Sequence, residues 1–428
     1  MLLLGCVADD FTGATDLANA LVAGGLPTEL RLGVPDRPAE PSAAPRAVVL
    51  ALKSRTAPVA EAVRDSVAAA RWLIAGGTAR LYFKVCSTFD STARGNIGQV
   101  ADALYALQAQ REAVLVCPAF PTNGRTVYRG HLFVGDLLLS DSPMRHHPLT
   151  PMTDASLVRV MASQTTEKVG LIALPVVREG AAAVRHAAAA LGAAGTRYAV
   201  ADAVTDADLL ALARAALDAP LVVAGSGIGA LLPAAYREAA LLGAAQAGAA
   251  AASAPPALGA RAAVIAGSCS AATQTQVAQF APQATVVRVD PLAFPDANGL
   301  LHATLHQVDA GLRDAKPLLV VSTVEPDVLA AVQSQLGRDT AAARVEHTLA
   351  AVARHLVDAG VRKLVVAGGE TSGAVVGALG VDTLDVGPQI APGVPWTFAR
   401  GGTPLALALK SGNFGQEDFF ARALAMLS

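Results

Sequence analysis

The sequence predicts an α/β protein of two α/β domains, with mainly parallel sheets facing a common cleft. Apolar runs of four to seven residues recur along the chain, each followed by a Gly- or Asp-rich turn and then by an Ala-rich amphipathic stretch. That order is typical of βαβ units, because parallel strands need a crossover between them. The rhythm restarts after an Ala-, Gly- and Pro-rich segment at 246–260. We therefore expect a first domain at 1–245, a linker at 246–260 and a second domain at 261–428.

The composition supports this class and argues against several others. Hydrophobic residues make up 53% of the 428 residues, charged residues 16% and aromatic residues only 4%. The excess is Ala, Val and Leu, which suits helices packed on a buried sheet and makes disorder unexpected. A net charge of -2 provides no basic field for a phosphate backbone, so we expect no nucleic-acid partner.

We expect a cytoplasmic protein without a membrane segment. The longest uncharged run, 241–260, contains glycines, two adjacent prolines, a Gln and a Ser, which is typical of a linker rather than a bilayer span. The N-terminus has no cationic region and reaches two aspartates before a signal sequence could be complete. The four scattered cysteines, without a CxxC pair, favour reduced thiols over disulfides or a zinc site.

The apolar runs predict the individual strands. In the first domain they lie at 2–7, 28–32, 47–52, 81–85, 114–116, 169–173, 198–200 and 221–224, with helices such as 59–74 and 180–191 between them. In the second domain they lie at 263–266, 286–289, 318–322 and 363–367. Because ligands of open parallel sheets lie beyond the carboxyl ends of the strands, we expect the chemistry in the turns that follow.

The first such turn carries paired acids. Asp9 and Asp10 follow the first strand, ahead of Thr12 and Gly13, which can open a helix. Two carboxylates at this position can bind substrate hydroxyls or a hydrated cation, or they can deprotonate a hydroxyl. The alternative is that one aspartate only caps the helix.

The next turn, 84–98, is unusually polar. Lys84 or Arg94 can bind a carboxylate, while Asp90 and Ser91 can bind hydroxyls, so the segment suits a small polyhydroxy acid. The alternative is an ordinary loop that leads into a helix at 97–107.

A third turn, 117–133, combines two prolines with several cationic or amide side chains. Asn123, Arg125 and Arg129 suit a carboxylate or phosphate oxygen. The alternative is a surface excursion with solvated arginines, and His131, as a lone histidine, is more often structural.

Glycine- and hydroxyl-rich turns mark the second domain. They lie at 267–270, 368–373 and 411–415, and their amides, hydroxyls and helix N-termini suit a nucleotide phosphate. None matches the Walker-type P-loop. The GSGIG run at 225–229 lacks the spacing of a dinucleotide fingerprint, and His302 and His306 lack a third ligand, so we predict neither an NAD site nor a metal site on protein ligands.

These turns together resemble the four-carbon acid sugar kinase family. The likeness is carried by ADDFTGATD, KVCSTFDSTARGNIG, CPAFPTNGRTVYRG and GGETSGAV, and it spans essentially the whole chain. The text after Cys117 is similar to the 3-oxo-tetronate branch rather than the D-threonate or D-erythronate branches.

The resemblance implies an N-terminal domain for the acid sugar, a C-terminal domain for ATP, and phosphate transfer to the C4 hydroxyl. It places the sugar on Asp9, Asp10, Thr12, Lys84, Asp90, Ser91, Arg94, Asn123, Arg125 and Arg129, with Asp9 or Asp10 as catalytic carboxylate. It places ATP on Ser268, Gly368, Gly369, Glu370, Thr371, Ser372 and Gly412. We expect Mg²⁺ on the phosphates and cleft closure about the linker that excludes water.

Two other classes stay open on the residues alone. An acid-sugar binding protein would need the first domain's loops but not the second domain's glycine turns. An oxidoreductase would need a dinucleotide fingerprint. A homo-oligomer is compatible with the sequence, which does not determine the oligomeric state or the substrate's stereochemistry.

Overall fold

The computed structural model describes residues 2–36, 46–108, 111–147, 150–243, 252–294, 296–323 and 326–427. The chain divides into two compact units, Met1–Ala252 and Ser253–Ser428. The first six residues of the predicted linker, 246–251, lie outside the described residues. The predicted domain bounds stay a prediction, as does the common cleft.

The first unit alternates strands and helices along most of its length. Its strands are β1 (Leu2–Ala8), β2 (Thr28–Leu32), β3 (Arg46–Ala51), β4 (Leu81–Lys84), β5 (Val114–Cys117), β6 (Arg125–Tyr128), β7 (His131–Val134), β8 (Leu137–Leu138), β9 (Lys168–Ile172), β10 (Thr196–Ala201) and β11 (Leu221–Ala224). Its helices are α1 (Phe11–Ala23), α2 (Val59–Ala75), α3 (Ile97–Tyr105), α4 (Leu157–Ala162), α5 (Leu174–Arg178), α6 (Ala181–Ala193), α7 (Asp206–Ala215) and α8 (Ser226–Glu238).

The main sheet of this unit is parallel throughout, in the order β2-β3-β1-β4-β11-β5-β10-β9. The register places Ala8 beside both Ala51 and Lys84, and Lys84 beside Ala224. The carboxyl ends of these four neighbouring strands are therefore level, so the turns that follow them meet at one edge.

The predicted loop at 117–133 is largely a small antiparallel sheet, β6-β7-β8. A two-residue turn of Arg129 and Gly130, with φ of 52° and 71°, joins Tyr128 to His131. Two positive φ angles are characteristic of the tight hairpin turn whose twist matches that of the strands. The cationic segment is thus a hairpin and not the loop that the sequence predicts.

The second unit begins with a parallel α/β arrangement and ends with antiparallel strands. Its strands are β12 (Ala262–Ala266), β13 (Thr285–Arg288), β14 (Leu318–Val321), β15 (Lys363–Ala367), β16 (Thr383–Ala391), β17 (Val394–Ala399) and β18 (Ala406–Lys410). Its helices are α9 (Ala271–Phe280), α10 (Ala297–Gly311), α11 (Pro326–Leu336), α12 (Arg338–Asp358), α13 (Gly369–Leu379) and α14 (Phe419–Ala425).

The sheet of the second unit runs β13-β14-β12-β15-β18 in parallel, and β17 and β16 continue it in antiparallel fashion. The α/β class with mainly parallel sheet is therefore confirmed, while β16 to β18 were not predicted. A core of buried side chains, with Trp396, Phe280 and Phe420 at its centre, packs on this sheet. Over the described residues, no helix has both the length and the apolarity needed to cross a bilayer.

Each sheet has a point where the chain changes direction along the sheet. In the first unit the chain leaves β1 towards β2 on one side, and it leaves the neighbouring β4 towards β5 on the other. In the second unit the neighbours β12 and β15 diverge in the same way, towards β13 and β16. Such a point opens a crevice beyond the strand ends, which is where open α/β sheets bind ligands.

Candidate active site

Asp9 is the first residue after β1, and an arginine that we did not predict holds it. Asp9 is 3% exposed, and Nε and Nη2 of Arg55 donate to its two carboxylate oxygens at 2.9 and 2.8 Å. Burial raises the pKa of Asp9, and the charge of Arg55 opposes that rise. Arg55 follows β3, the strand beside β1, and the polar run after the 47–52 strand was the signal for it.

Asp10 caps a helix and, like Asp9, forms an ion pair with Arg55. Its carboxylate accepts from the Gly13 amide and the Thr12 hydroxyl, both at 2.8 Å, at the N-terminus of α1. Nη2 of Arg55 also lies 2.8 Å from Asp10 Oδ1. Burial alone would raise the pKa of Asp10, but the charges of Arg55 and Lys84 and the hydrogen bonds from Thr12 and Gly13 together place it below its ordinary value. Asp10 is thus an ionised, half-buried carboxylate as well as a cap.

Lys84 lies against α1, where only a glycine leaves room for it. The lysine is buried and its Nζ donates to Val85 O at 2.9 Å. A Cβ on Gly13 would come within 2.9 Å of that Nζ and 2.4 Å of Asp10 Oδ1. The bare backbone of Gly13 therefore lets the lysine approach the helix that Asp10 caps.

Asp16 belongs to this site, although we did not select it from the sequence. It is buried on α1, and burial raises its pKa to about 6 even though the charge of Lys84 opposes the rise. Asp16 lies three and four residues after Gly13 and Thr12, hence on the same helix face. That spacing was visible in ADDFTGATD, and it is the signal that would have identified the residue.

The segment after β4 buries two of its predicted ligands in local hydrogen bonds. Asp90 accepts from the Thr88 hydroxyl at 2.6 Å. The Ser91 hydroxyl donates to Phe89 O at 3.0 Å and accepts from Gln164 Nε2 at 2.8 Å. Phe89 is fully buried with a φ of 53°, which is uncommon for a bulky residue and marks a constrained turn.

Arg94 and Asn96, from the same segment, have different surroundings. Arg94 is exposed, and no contact within the described ranges joins it to Asp9, Asp10 or Lys84. Asn96 is buried, and its Nδ2 donates to Arg55 O and Ala57 O, both at 3.1 Å. Asn96 therefore ties this segment to the turn that presents Arg55.

The hairpin residues form a group of their own. Nη1 of Arg125 donates to Asn123 O, and Arg129 is exposed. The amides of Arg129 and Gly130 donate to the fully buried carboxylate of Asp202 at 2.9 and 2.8 Å. Asp202 thereby fixes the hairpin, and the sequence did not indicate it. In the described part of the chain, no hydrogen bond or ion pair joins Asn123, Arg125 or Arg129 to Asp9, Asp10 or Arg55.

The glycine turns of the second unit are hydrogen-bonded side by side. The amides of Gly267 and Ser268 donate to Ala367 O at 2.9 and 3.1 Å, and the Gly368 amide donates to Lys410 O at 2.8 Å. The turns after β12, β15 and β18 thus come together as the sequence predicts for the three glycine-rich segments.

The glycines bring backbone close to hydroxyl groups in these turns. A Cβ on Gly267 would lie 2.1 Å from Thr371 Oγ1, and one on Gly412 would lie 2.3 Å from Ser268 Oγ. Gly368 has a φ of 129°, which L side chains rarely adopt. Close packing therefore accounts for Gly267 and Gly412, and backbone conformation accounts for Gly368. The close packing gathers the hydroxyls of Ser268 and Thr371 at one place.

Helix N-termini complete the donor set. Ser270 caps α9 by accepting from the Thr273 amide at 3.3 Å. At α13 no side chain from the described part of the chain caps the first turn, which contains Gly369, Glu370 and Thr371, so its amide groups can donate to a ligand. Ser372 is fully buried, and among the described residues its hydroxyl has no hydrogen-bond partner. These groups can bind an anion of the phosphate type.

Three further observations bear on the other predicted and rejected sites. Across the described ranges, no three His, Cys, Asp or Glu side chains form a metal-binding group. None of the four cysteines forms a disulfide with another described residue. The glycines of the GSGIG run serve packing, since a Cβ on Gly227 would lie 2.2 Å from Ala119 O and one on Gly229 would lie 2.3 Å from Leu17 Cδ1.

Comparison with known proteins gives one consistent relationship. Residues 4–232 match the family model described as a sugar-binding N-terminal domain, and residues 263–420 match the nucleotide-binding C-terminal domain. A 3-oxo-tetronate kinase of Pseudomonas fluorescens is 51% identical over 428 residues, which cover 100% of this chain and 97% of that protein. A 3-oxo-tetronate kinase of Cupriavidus necator is 52% identical over 427 residues, with 99% and 97% covered.

Two crystal structures share the fold. A Salmonella typhimurium LT2 protein, described as a tRNA synthase, is 42% identical with a TM-score of 0.84, and the match covers 99% of both chains. A Haemophilus influenzae protein is 44% identical with a TM-score of 0.74, and the match covers 99% of this chain and 100% of that one.

Proposed function

This chain belongs to the four-carbon acid sugar kinase family, and we propose that it transfers the γ-phosphoryl group of ATP to the C4 hydroxyl of a 3-oxo-tetronate. The observation that carries the proposal is the identity of 51% and 52% to two 3-oxo-tetronate kinases along nearly the whole of both chains. D-Threonate and D-erythronate are the alternative substrates, because one hydroxyl inverted or oxidised could be accommodated by a small side-chain shift.

The acid sugar is proposed to bind at the edge of the first sheet, beyond β1 and β4. Arg94 is the more suitable of the two predicted carboxylate ligands, since it is exposed, whereas Lys84 is buried beside Asp10 and Asp16. Thr12, Asp90 and Ser91 are proposed as hydroxyl ligands. Asn123, Arg125 and Arg129 would act from the hairpin.

ATP is proposed to bind the second unit at Ser268, Gly368, Gly369, Glu370, Thr371, Ser372 and Gly412. The amides of the first turn of α13 and the hydroxyls of Ser268 and Thr371 support phosphate binding there. Mg²⁺ typically binds through substrate phosphates, water and one or two carboxylates. Glu370 is the carboxylate in this turn that could serve it, and the ion would neutralise charge on the phosphates.

The reaction itself needs positioning and one proton acceptor. The C4 oxygen forms a bond to the γ-phosphorus, the bond from that phosphorus to the β–γ bridging oxygen breaks, and ADP leaves with the electron pair. The hydroxyl proton passes to a carboxylate. We propose Asp10 for this role before Asp9, because the ionised Asp10 side chain is 17% exposed, whereas the Asp9 side chain is 4% exposed and both of its oxygens accept from Arg55.

The test is an ATP-consumption screen of the purified chain across D-threonate, D-erythronate and their 3-oxo forms. We expect turnover with a 3-oxo-tetronate and a 4-phosphate product. Asp10→Asn should bind both ligands yet turn over about 10²- to 10⁴-fold more slowly, as is typical for loss of a general base. The proposal would be overturned if no acid in this screen supported ATP consumption.

Two expectations accompany this function. A cytoplasmic location and a homo-oligomer stay predictions.

The description of the Salmonella protein as a tRNA synthase concerns that protein, and the net charge of -2 on this chain gives no support for a nucleic-acid substrate.

A further inference from the structure

A lysine lies buried beneath the glycine turns of the second unit. Lys410, the last residue of β18, has no exposed surface. Its Nζ donates to Thr273 Oγ1 at 3.2 Å, to Ser411 O at 2.9 Å and to Gly412 O at 2.8 Å. An ammonium group has three protons, so all of its donors are used.

These bonds attach the turn after β18 to helix α9. Thr273 Oγ1 also donates to Gly412 O at 2.9 Å, and Gln276, one turn further along α9, donates from Nε2 to Phe414 O and Gly415 O at 3.0 Å. The turn is therefore fixed by hydrogen bonds from Lys410 and from the α9 side chains Thr273 and Gln276. Its position decides where Gly412 meets Ser268, because a Cβ on Gly412 would lie 2.3 Å from Ser268 Oγ.

The positive charge of Lys410 has no counter-ion within the described part of the second unit. Its partners are a hydroxyl and two carbonyl oxygens, and the ring of Phe419 lies 6.0 Å away. In the described residues, Lys410 forms no ion pair with the titratable groups of the turns, Cys269 and Glu370, or with those in and just before α14, Glu417, Asp418 and Arg422. Burial lowers the pKa of Lys410 to about 7.

A buried charge without a counter-ion is costly, so an anion bound nearby would favour the charged form of Lys410 over the neutral one. The turns after β12, β15 and β18 contain amide and hydroxyl groups that can donate hydrogen bonds to a ligand. Such groups favour the binding of anions. A phosphate at these turns would be attracted by a cation that it does not touch, because a charge in a low-dielectric interior is weakly screened.

We propose that Lys410 is a positioning residue of the nucleotide site, which fixes the Ser411–Gly412 turn and supplies the buried positive charge that the phosphates of ATP compensate. This inference rests on the proposed function, since it assumes that the turns bind ATP. It adds a residue that does not contact the nucleotide and acts through the turn and through its charge.

The test compares Lys410→Met with Lys363→Met in the full chain. Lys363 is a matched control, because it is buried in neighbouring β15 at the opposite end of the same sheet, where its Nζ donates to Leu427 O at 2.9 Å. Calorimetric titration with ATP should show at least ~10-fold weaker binding for Lys410→Met and unchanged binding for Lys363→Met. Titration with the acid sugar should give the wild-type affinity in both variants.

A second measurement uses the wild-type chain, in case Lys410→Met does not fold. At pH 8 part of Lys410 is neutral, and phosphate binding should restore its proton. ATP titrations in two buffers of different ionisation enthalpy should therefore reveal net proton uptake, and Lys363→Met should show the same uptake.

Each outcome decides the inference. Wild-type ATP affinity in a folded Lys410→Met variant, or no proton uptake by the wild-type chain, would overturn it and leave the kinase assignment intact. A wild-type chain that binds no ATP would instead remove the proposed function, and this inference would fall with it.

Discussion

Arg55 changes the electrostatic environment of the aspartate pair. The paired acids after β1 suggested two free carboxylates, yet Arg55 spans both of them. The charges of Asp10 and Asp9 raise the pKa of Arg55 even though burial alone would lower it. The three side chains therefore form one electrostatic unit, in which the arginine allows two adjacent acids to remain close together.

Arg55→Met should destabilise the first unit, because it leaves Asp9 buried without its partner. We expect a loss of about 3–5 kcal/mol in the free energy of unfolding at pH 7.5, as is typical when one member of a buried ion pair is removed. Urea denaturation measures this. Arg64→Met is the control, since Arg64 pairs with Asp65 on an exposed helix surface and its loss should leave the midpoint unchanged. Equal midpoints for Arg55→Met and wild type would contradict the buried ion pair.

Asp16 predicts a pH dependence with a definite sign. Its pKa is raised by burial from 3.8 to about 6, so between those values the folded chain keeps a proton that the unfolded chain has lost. The contribution of Asp16 to stability is therefore present below pH 3.8 and is lost as the pH rises towards 6, by about 3 kcal/mol at most. Asp16→Asn should remove this loss, so the variant should gain stability over wild type from pH 4 to pH 7. A wild-type-minus-variant difference that is flat with pH would exclude the shift.

At the scale of elements, most parallel strands could be predicted, whereas the parallel strand β18 and the antiparallel strands could not. The runs at 221–224 and 363–367 match β11 and β15, because fully buried strands are continuous apolar runs between turn residues. The Ala- and Leu-rich β18 resembles a helical segment in composition, and short apolar runs do not distinguish the two by periodicity. Missing β18 also concealed Lys410, since its significance depends on lying at a strand end beside β15.

The turns that carry the site residues could be predicted from the sequence, but the ion pairs between distant residues could not. Asp9, Asp10 and Lys84 could be selected because each lies at the end of a strand whose neighbours are parallel. Arg55 lies far from the aspartates in sequence, and only the order of the strands, with β3 beside β1, brings it to them. Pairing between distant residues follows from topology, which the pattern of a single strand does not contain.

Helix α1 offers a test of a glycine that is required by close approach. Gly13→Ala places a Cβ 2.4 Å from Asp10 Oδ1, so we expect the helix cap to be displaced and stability to fall by about 1–2 kcal/mol. Affinity for the acid sugar should fall with it. Gly377→Ala is the matched control, because this exposed helical glycine on α13 has open space around it, and the change should stabilise the chain by about 0.5–1 kcal/mol. Thermal melts and sugar titrations of both variants measure the contrast, and similar behaviour of the two would contradict it.

At the scale of the whole molecule, both units place their candidate residues by the same rule. The order β2-β3-β1-β4 in the first unit corresponds to β13-β14-β12-β15 in the second, so the first strand of each unit lies beside the strand where the chain reverses direction. One crevice is lined by carboxylates and cations, and the other by amides and hydroxyls. The same strand order therefore supports sites for two kinds of ligand. The two sites differ in the turns that follow equivalent strands.

This division predicts that a change in one unit affects the binding of one ligand only. Gly13→Ala should weaken the acid sugar, and Gly267→Ala should weaken ATP, because its Cβ would lie 2.1 Å from Thr371 Oγ1 among the phosphate-binding turns. The two positions belong to different compact units, so their effects on binding free energy should add in the double variant within about 0.5 kcal/mol, as independent sites do. Calorimetry with each ligand separately, on the two single variants and the double variant, measures this. Weaker sugar binding in Gly267→Ala, or a large departure from additivity, would mean that the two ligands do not use separate units and that the assignment of one ligand to each sheet is wrong.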